Sequence, residues 1–163
     1  MEPQWLALGV LVGWALHIAY ELLDPQKFGG NDPRKSKKSS SRVRYTEELK
    51  MVLVVNESLK MGKGKIGAQC AHAAVGLVEE VAFSEPGLLN AWARGGQAKI
   101  CLRGLDTPQL KALRAEARRQ GLATYLVQDA GRTQVEPGSR TVLAIGPAPK
   151  SQIDLVTGDL KLL

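Results

Sequence analysis

Lys65, Gln69 and His72 bring a cation, an amide and an imidazole to one short stretch of chain. On a helix opening near Gly64 they stand at i, i+4 and i+7. At about 100° per residue they fall within roughly a 60° arc on one face. Such a stripe, at the mouth of the basic, glycine-rich turn Lys60–Lys65, suits an anionic or carbonyl substrate. A second polar cluster runs from Gln128 to Thr141 and contains Asp129, Arg132, Thr133 and Thr141. Loops held by rigid elements are where binding groups concentrate. The plain alternatives are a solvated helix face for the first segment and a hairpin loop punctuated by Gly131 and Pro137-Gly138 for the second.

The surrounding pattern supplies elements to carry these residues. Met51–Val55 is an unbroken apolar run, as in a central strand buried on both faces. The helix from Gly64 is expected to reach Val81, with Ile66, Cys70, Ala73, Leu77 and Val81 as its core stripe beside the polar one. Pro86-Gly87 restarts a short helix through Trp92, and Ala98–Leu102 reads as a strand. Asp106 caps a third helix with Pro108 in its first turn, ended by Gly121. Residues 123–127 and 141–145 read as strands, the second beginning at Thr141. A helical turn is expected from Ser151 to Val156. Strands alternating with helices imply an α/β sheet with helices on its faces.

These motifs, in this order and spacing, resemble the type 2 peptidyl-tRNA hydrolase family. The resemblance covers residues 49–163. It includes the strand Lys50–Val55, the turn and helix through Ala74, the Gln128–Gln134 loop, Thr141-Val142-Leu143, Ile145-Gly146-Pro147 and the tail from Ile153-Asp154 through Leu162. It implies a single domain with a four-stranded mixed sheet flanked by helices. It also implies hydrolysis of the ester between peptide and tRNA, and a site at Lys65, Gln69, His72, Asp129, Thr133 and Thr141. Gly67 and Ala71 depart from the family pattern, where alanine and a small hydroxyl residue are common. Neither lies on the Lys65–Gln69–His72 stripe.

With 163 residues and 44 % hydrophobic content, the chain is long enough for one domain plus an extension. The net charge of +6 favours polyanionic partners, nucleic acid or anionic lipid. Two cysteines, Cys70 and Cys101, make no disulfide framework and have no metal-ligand neighbours in sequence, so zinc is not expected.

Residues 1–48 are of another kind. From Trp5 through Leu23 the chain is apolar enough, over about 19 residues, to span a bilayer core of about 30 Å. Arg34, Lys35, Lys37, Lys38, Arg42 and Arg44 follow it, which sets that side in the cytosol by the positive-inside rule. Residues 1–23 are therefore expected to be a transmembrane anchor helix and residues 24–48 a flexible basic linker. The resemblance to anchored animal members favours the mitochondrial outer membrane, with the hydrolase domain facing the cytosol; the endoplasmic reticulum and the cytosol are the alternatives.

Three other motifs fail. Gly62-Lys63-Gly64-Lys65-Ile66-Gly67 matches G-x-G-x-x-G, but it stands too far from its strand and lacks a ribose-binding acid. It is no Walker loop, because no Ser or Thr follows Lys65. Cys70 and His72, at i and i+2, do not face each other on a helix.

No serine or cysteine nucleophile is apparent, so direct attack by water is the simpler chemistry, without metal or cofactor. His72 or Asp129 could orient or deprotonate that water, with Asp129 preferred as a partner that fixes His72. Lys65 could neutralise the oxyanion, while Gln69, Thr133 and Thr141 would supply hydrogen bonds. Lys60, Lys63, Lys65, Arg132 and Arg140 could contact tRNA phosphates. The stretch bearing Lys111, Arg114, Arg118 and Arg119 is a further candidate surface, though a solvated face is the better reading. The implied partners are tRNA, a membrane through residues 5–23 and, as an option left open, a second copy in a homodimer. The competing function is a membrane-tethered interaction protein in apoptosis signalling, with protein partners the sequence does not identify.

Overall fold

The computed structural model describes residues 45–163. The expected anchor, residues 1–23, and residues 24–44 of the expected linker lie outside the described residues. Among the described residues no helix is long and apolar enough to cross a membrane.

The apolar run forms strand β1, Leu49–Asn56, buried along its whole length. It is followed by a short 3-10 turn at Glu57–Leu59 and helix α1, Lys63–Ser84. Then come α2 (Pro86–Arg94), β2 (Lys99–Gly104), α3 (Thr107–Arg119), β3 (Thr124–Gln128), β4 (Arg140–Pro149) and α4 (Lys150–Thr157). The four strands lie in the order β2-β1-β4-β3. β2 runs parallel to β1, and β4 runs antiparallel to both β1 and β3. The sheet is mixed, as the resemblance implied.

Side chains on a strand alternate between faces, so the central strands feed two cores. Met51, Leu53 and Val55 of β1, with Val142 and Ala144 of β4, pack with Ala73, Leu77 and Val81 of α1 and Leu88 and Trp92 of α2. Val52 and Val54, with Leu143 and Ile145, pack with Leu110 and Ala117 of α3 and Ile153 of α4. Leu77 and Leu110 are wholly buried, and burying each such side chain stabilises the fold by about 1.5–3 kcal/mol. Lys50 is buried on the α4 side, where its ammonium meets Asp154 at 2.5 Å.

α3 starts as its sequence predicts: Asp106 accepts a hydrogen bond from the Gln109 N–H at 2.9 Å. Three features differ from expectation. α1 begins at Lys63, with Gly62 as its N-cap, and runs on to Ser84. β4 continues past Ile145 through Gly146-Pro147 to Pro149, because the start of β1 still needs a partner there: Leu49 pairs with Pro149 and Lys50 with Ala148 across a bulge. Tyr45 and Glu48, assigned to the linker, belong to the folded unit. Tyr45 packs on the α1 core, and the Glu48 carbonyl accepts from the Lys150 N–H. The C-terminal tail covers the outer edge of β2 through the Leu102–Leu162 bridge, leaving β3 as the other edge strand.

Candidate active site

The N-terminus of α1 and the loop after β3 meet around a cavity of about 610 Å³. Lys65, Gln69 and His72 line it from α1, and Asp129, Arg132 and Thr133 line it from the loop. Its apolar wall is Val75, Tyr125 and Val127. Tyr125 can lie so close because position 76 is glycine: a Cβ there would sit 2.5 Å from the ring.

Asp129 is the hub. Its Oδ2 accepts from Lys65 Nζ at 2.5 Å and from Gln69 Nε2 at 2.9 Å. Its Oδ1 accepts from the Gly131 N–H at 2.8 Å. Lys65 also donates to Thr133 Oγ1 at 3.0 Å. Both members of the ion pair are largely withdrawn from solvent, with side chains 12 % and 8 % exposed. The Lys65 ammonium first, and the Gly131 N–H after it, hold the Asp129 carboxyl below its ordinary value against the opposing effect of burial. The carboxylate is therefore anionic at neutral pH, and it fixes the lysine rather than standing ready to take a proton.

Behind the ion pair lies a buried support. Gln69, 4 % exposed, receives the Thr141 hydroxyl on its Oε1. Each end of the amide thus has a defined role, which sets its orientation. The loop is pinned as well: the Asp129 N–H donates to the Ser139 carbonyl and the Gly138 N–H to the Asp129 carbonyl. Gly131 has φ +75°, and a Cβ there would come within 2.4 Å of the Pro137 nitrogen. Only glycine fits where the chain turns back past Asp129.

Lys63 and Lys65 both sit in the first turn of α1, where the helix dipole is positive and cations cost stability. Asp129 offsets that for Lys65. What remains at one end of the cavity is the positive end of the helix dipole, beside an ammonium whose charge Asp129 largely balances.

The structure corrects two sequence expectations. The expected Asp129–His72 pair does not form. His72 is exposed on the cavity wall, one helical turn beyond the residues that reach the carboxylate. Thr141 is expected from the sequence to supply a hydrogen bond to the substrate. It belongs to β4, is wholly buried, and reaches the cavity only through Gln69. Lys63, expected to contact tRNA phosphates, is exposed outside the cavity wall, as residues two apart on a helix diverge. Lys65, Gln69, His72, Asp129, Thr133 and Arg132 are brought together. Sequence reasoning missed Gln134, whose Oε1 accepts the Gly62 N–H at 3.0 Å and ties the loop to the helix start. No sequence signal marks it. It also missed Tyr125, which strand alternation on β3 could have placed on the α1 face.

A Cβ at Gly64 or Gly67 would meet nothing within 4 Å, so neither glycine is needed for close packing. Cys70 is half-buried, and burial first, then neighbouring Cys101, push its thiol up to about 12, far from a reactive thiolate. Among the described residues no three His, Cys, Asp or Glu side chains gather as a metal site.

Comparison with known proteins bears on the family. The model of the family described as Peptidyl-tRNA hydrolase PTH2 matches residues 49–163. The chain is 43 % identical over 157 residues to "Peptidyl-tRNA hydrolase 2, mitochondrial" of Homo sapiens, covering 96 % of this chain and 87 % of that protein. It is 45 % identical over 119 residues to "Peptidyl-tRNA hydrolase" of Saccharolobus solfataricus, covering 71 % of this chain and 99 % of that protein. A protein of the same name from Metallosphaera sedula is 48 % identical over 117 residues, 71 % of this chain and 100 % of that protein. The chain is an enzyme of the peptidyl-tRNA hydrolase PTH2 family.

Proposed function

We propose that this enzyme cleaves the ester joining a peptide to the 3′-terminal ribose of tRNA, by attack of water and without a metal, at the Lys65–Asp129 site. The observation that carries this reading is the ion pair itself. It holds a cation, in the field of a helix N-terminus, at one end of a cavity large enough for the end of the peptide and its ester. As water attacks the carbonyl carbon, charge develops on the carbonyl oxygen, and Lys65 meets it with a donor already oriented by Asp129 and Thr133. The intermediate then expels the ribose oxygen, which takes up the proton that His72 has removed from the attacking water. Asp129 accepts a hydrogen bond from the attacking water. Its lowered pKa makes it a weak base at neutral pH, so His72, open to the cavity, takes the proton. Gln69, itself held by Thr141, keeps Asp129 in place. Arg132 and Lys63 lie outside that core and serve the tRNA phosphates.

The test is release of tRNA from an N-blocked aminoacyl-tRNA. Lys65→Ala and Asp129→Ala should each lower kcat by about 10²–10³-fold. The double variant should lose little more than either, because the two act as a unit. His72→Ala should cost about 10²-fold. Cleavage untouched by the first two substitutions would remove the site from these residues.

We also infer that residues 1–23 anchor the enzyme in the mitochondrial outer membrane, through the linker, with residues 49–163 in the cytosol. The apolar run, the basic residues after it and the mitochondrial names of relatives that match nearly the whole chain support this. The archaeal relatives, matched almost from end to end by about seven-tenths of this chain, support the domain division. The signalling alternative predicts that Asp129→Ala leaves the cellular role intact while loss of residues 1–30 abolishes it. The hydrolase reading predicts loss with Asp129→Ala.

A further inference from the structure

The α1 side of the β3–β4 margin carries the ester site, and the opposite side carries a second charged cluster. Arg140 immediately precedes Thr141 on β4. The register of β3 on β4 slips by one residue between Leu126–Leu143 and Gln128–Arg140, so Thr141 reaches Gln69 on α1 on the same side as Val142, and Arg140 lies within electrostatic reach of Arg114 on α3. Arg114 and Arg118, one turn apart on α3, share a side of that helix. Arg118 donates from Nε to Thr124 Oγ1 of β3 at 3.1 Å, which holds it against the sheet margin. Arg114 lies half-buried beside it. Burial first, then Arg118, lower the Arg114 pKa; Glu80 opposes this and Arg140 adds to it.

Among the described residues none of the three guanidinium groups has a carboxylate within ion-pair distance. The acid within α3, Glu116, is turned to Arg119 and Gln120 instead. Arg114 Nε is moreover the one buried side-chain nitrogen or oxygen among the described residues that finds no hydrogen-bond partner. Glu80 acts on Arg114 only from beyond ion-pair distance, so like charges gathered here with the Arg114 Nε donor unpaired are a costly arrangement that a bound anion would relieve. Planar guanidinium forks match phosphate oxygens in particular. β3 is an edge strand, so no further strand separates this cluster from the cavity on the other side.

We propose that Arg114, Arg118 and Arg140 form a phosphate-binding cradle that grips a backbone phosphodiester of the tRNA while the 3′ end passes around the β3 edge into the Lys65–Asp129 cavity. The assignment of the ligand to tRNA rests on the peptidyl-tRNA reading above. The cradle makes β3 the strand over which the substrate bends, and it separates the grip on the nucleic acid from the chemistry on the ester.

The experiment uses the full chain and two substrates: an N-blocked aminoacyl-tRNA, and an N-blocked aminoacyl ester of adenosine, which has the same leaving ribose and no phosphodiester. Arg114→Gln and Arg118→Gln should each raise KM for the tRNA substrate about 3- to 10-fold, with kcat unchanged and the slope of log affinity against log salt reduced by about one. Cleavage of the adenosine ester should stay at the wild-type rate. Inorganic phosphate should compete with the tRNA substrate and not with the adenosine ester. Arg114→Lys, which keeps the charge and loses the fork, should retain the salt slope and recover part of the KM. Wild-type KM and salt slope in both glutamine variants would overturn the cradle, as would an equal loss on the adenosine ester. Arg118, the more exposed of the two, guards against a folding defect at Arg114. If wild-type chain cleaves neither substrate, the hydrolase reading falls and the cradle is judged by tRNA binding alone: a reduced slope in the variants upholds it, an unchanged slope overturns it.

Discussion

Replacing Thr141 with valine removes one hydroxyl from a wholly buried position and changes the side-chain shape little. The hydroxyl is the donor to Gln69 Oε1, and Gln69 is itself buried. In Thr141→Val the amide oxygen is left in an apolar pocket without a partner, at a cost of about 1–3 kcal/mol. The higher strand preference of valine recovers a few tenths of that, leaving about 1–2 kcal/mol. For a domain of this size the melting temperature should fall by roughly 4–8 °C. The catalytic effect follows from the same bond. A Gln69 amide no longer held at its oxygen can rotate and release Asp129 Oδ2, which loosens Lys65. We expect kcat to fall by about tenfold with KM nearly unchanged. Urea unfolding and single-turnover release of tRNA measure the two effects. A double-mutant cycle with Gln69→Met is decisive, because that partner removes the orphaned amide. The coupling should be about 1–2 kcal/mol, the double variant being less unstable than the sum of the singles. Strict additivity, or a loss below about 0.3 kcal/mol in Thr141→Val, would refute the buried Thr141–Gln69–Asp129 relay.

Three further outcomes are expected. Gly76→Ala gains about 1 kcal/mol of helix propensity, but its Cβ drives into the Tyr125 ring, an overpacking of about 1–3 kcal/mol; a lower melting temperature and a raised KM, as the ring swings into the cavity, would be read by calorimetry and steady-state rates. Gly131→Ala should cost about 1–3 kcal/mol in urea unfolding and lower kcat, since the residue is at φ +75° and its new Cβ meets Pro137 backbone. The Asp129 carboxyl titrates below its ordinary value in the fold, so its stabilising contribution is fully present above that ordinary value and is lost as pH falls through the lower, folded value; acid unfolding of wild type against Asp129→Asn should differ in that acidic window and run parallel above pH of about 5.

The order of elements, the burial of β1 on both faces and the amphipathic phase of α1 are legible along the chain, because each rests on neighbours within a turn or two. The Asp106 cap and the stop at Gly121 are local in the same sense. β4 is read short because Gly146-Pro147 is a local stop signal, overridden only where the first residues of β1 need partners. Membership of the family is likewise carried by the linear order of motifs between Lys50 and Leu162.

The partnership at the centre of the site is of another kind. Lys65 and Asp129 are 64 positions apart, Gln69 and Thr141 are 72 apart, and the register of β3 on β4 sets where they meet. A helical stripe shows that Lys65, Gln69 and His72 share a face. It says nothing of how deep each lies, so the sequence alone allots Asp129 to His72. Packing decides otherwise: the loop after β3 reaches the first turn of α1, Lys65 takes the carboxylate, Gln69 is drawn inside and His72 is left in the open cavity. The same holds for Arg140, which sequence places in a loop and the slipped register of β4 on β3 brings within electrostatic reach of Arg114. Residue types and local periodicity determine what chemistry is available, whereas long-range pairing and strand register determine which groups touch, because those contacts depend on segments whose separation along the chain carries no periodic signal.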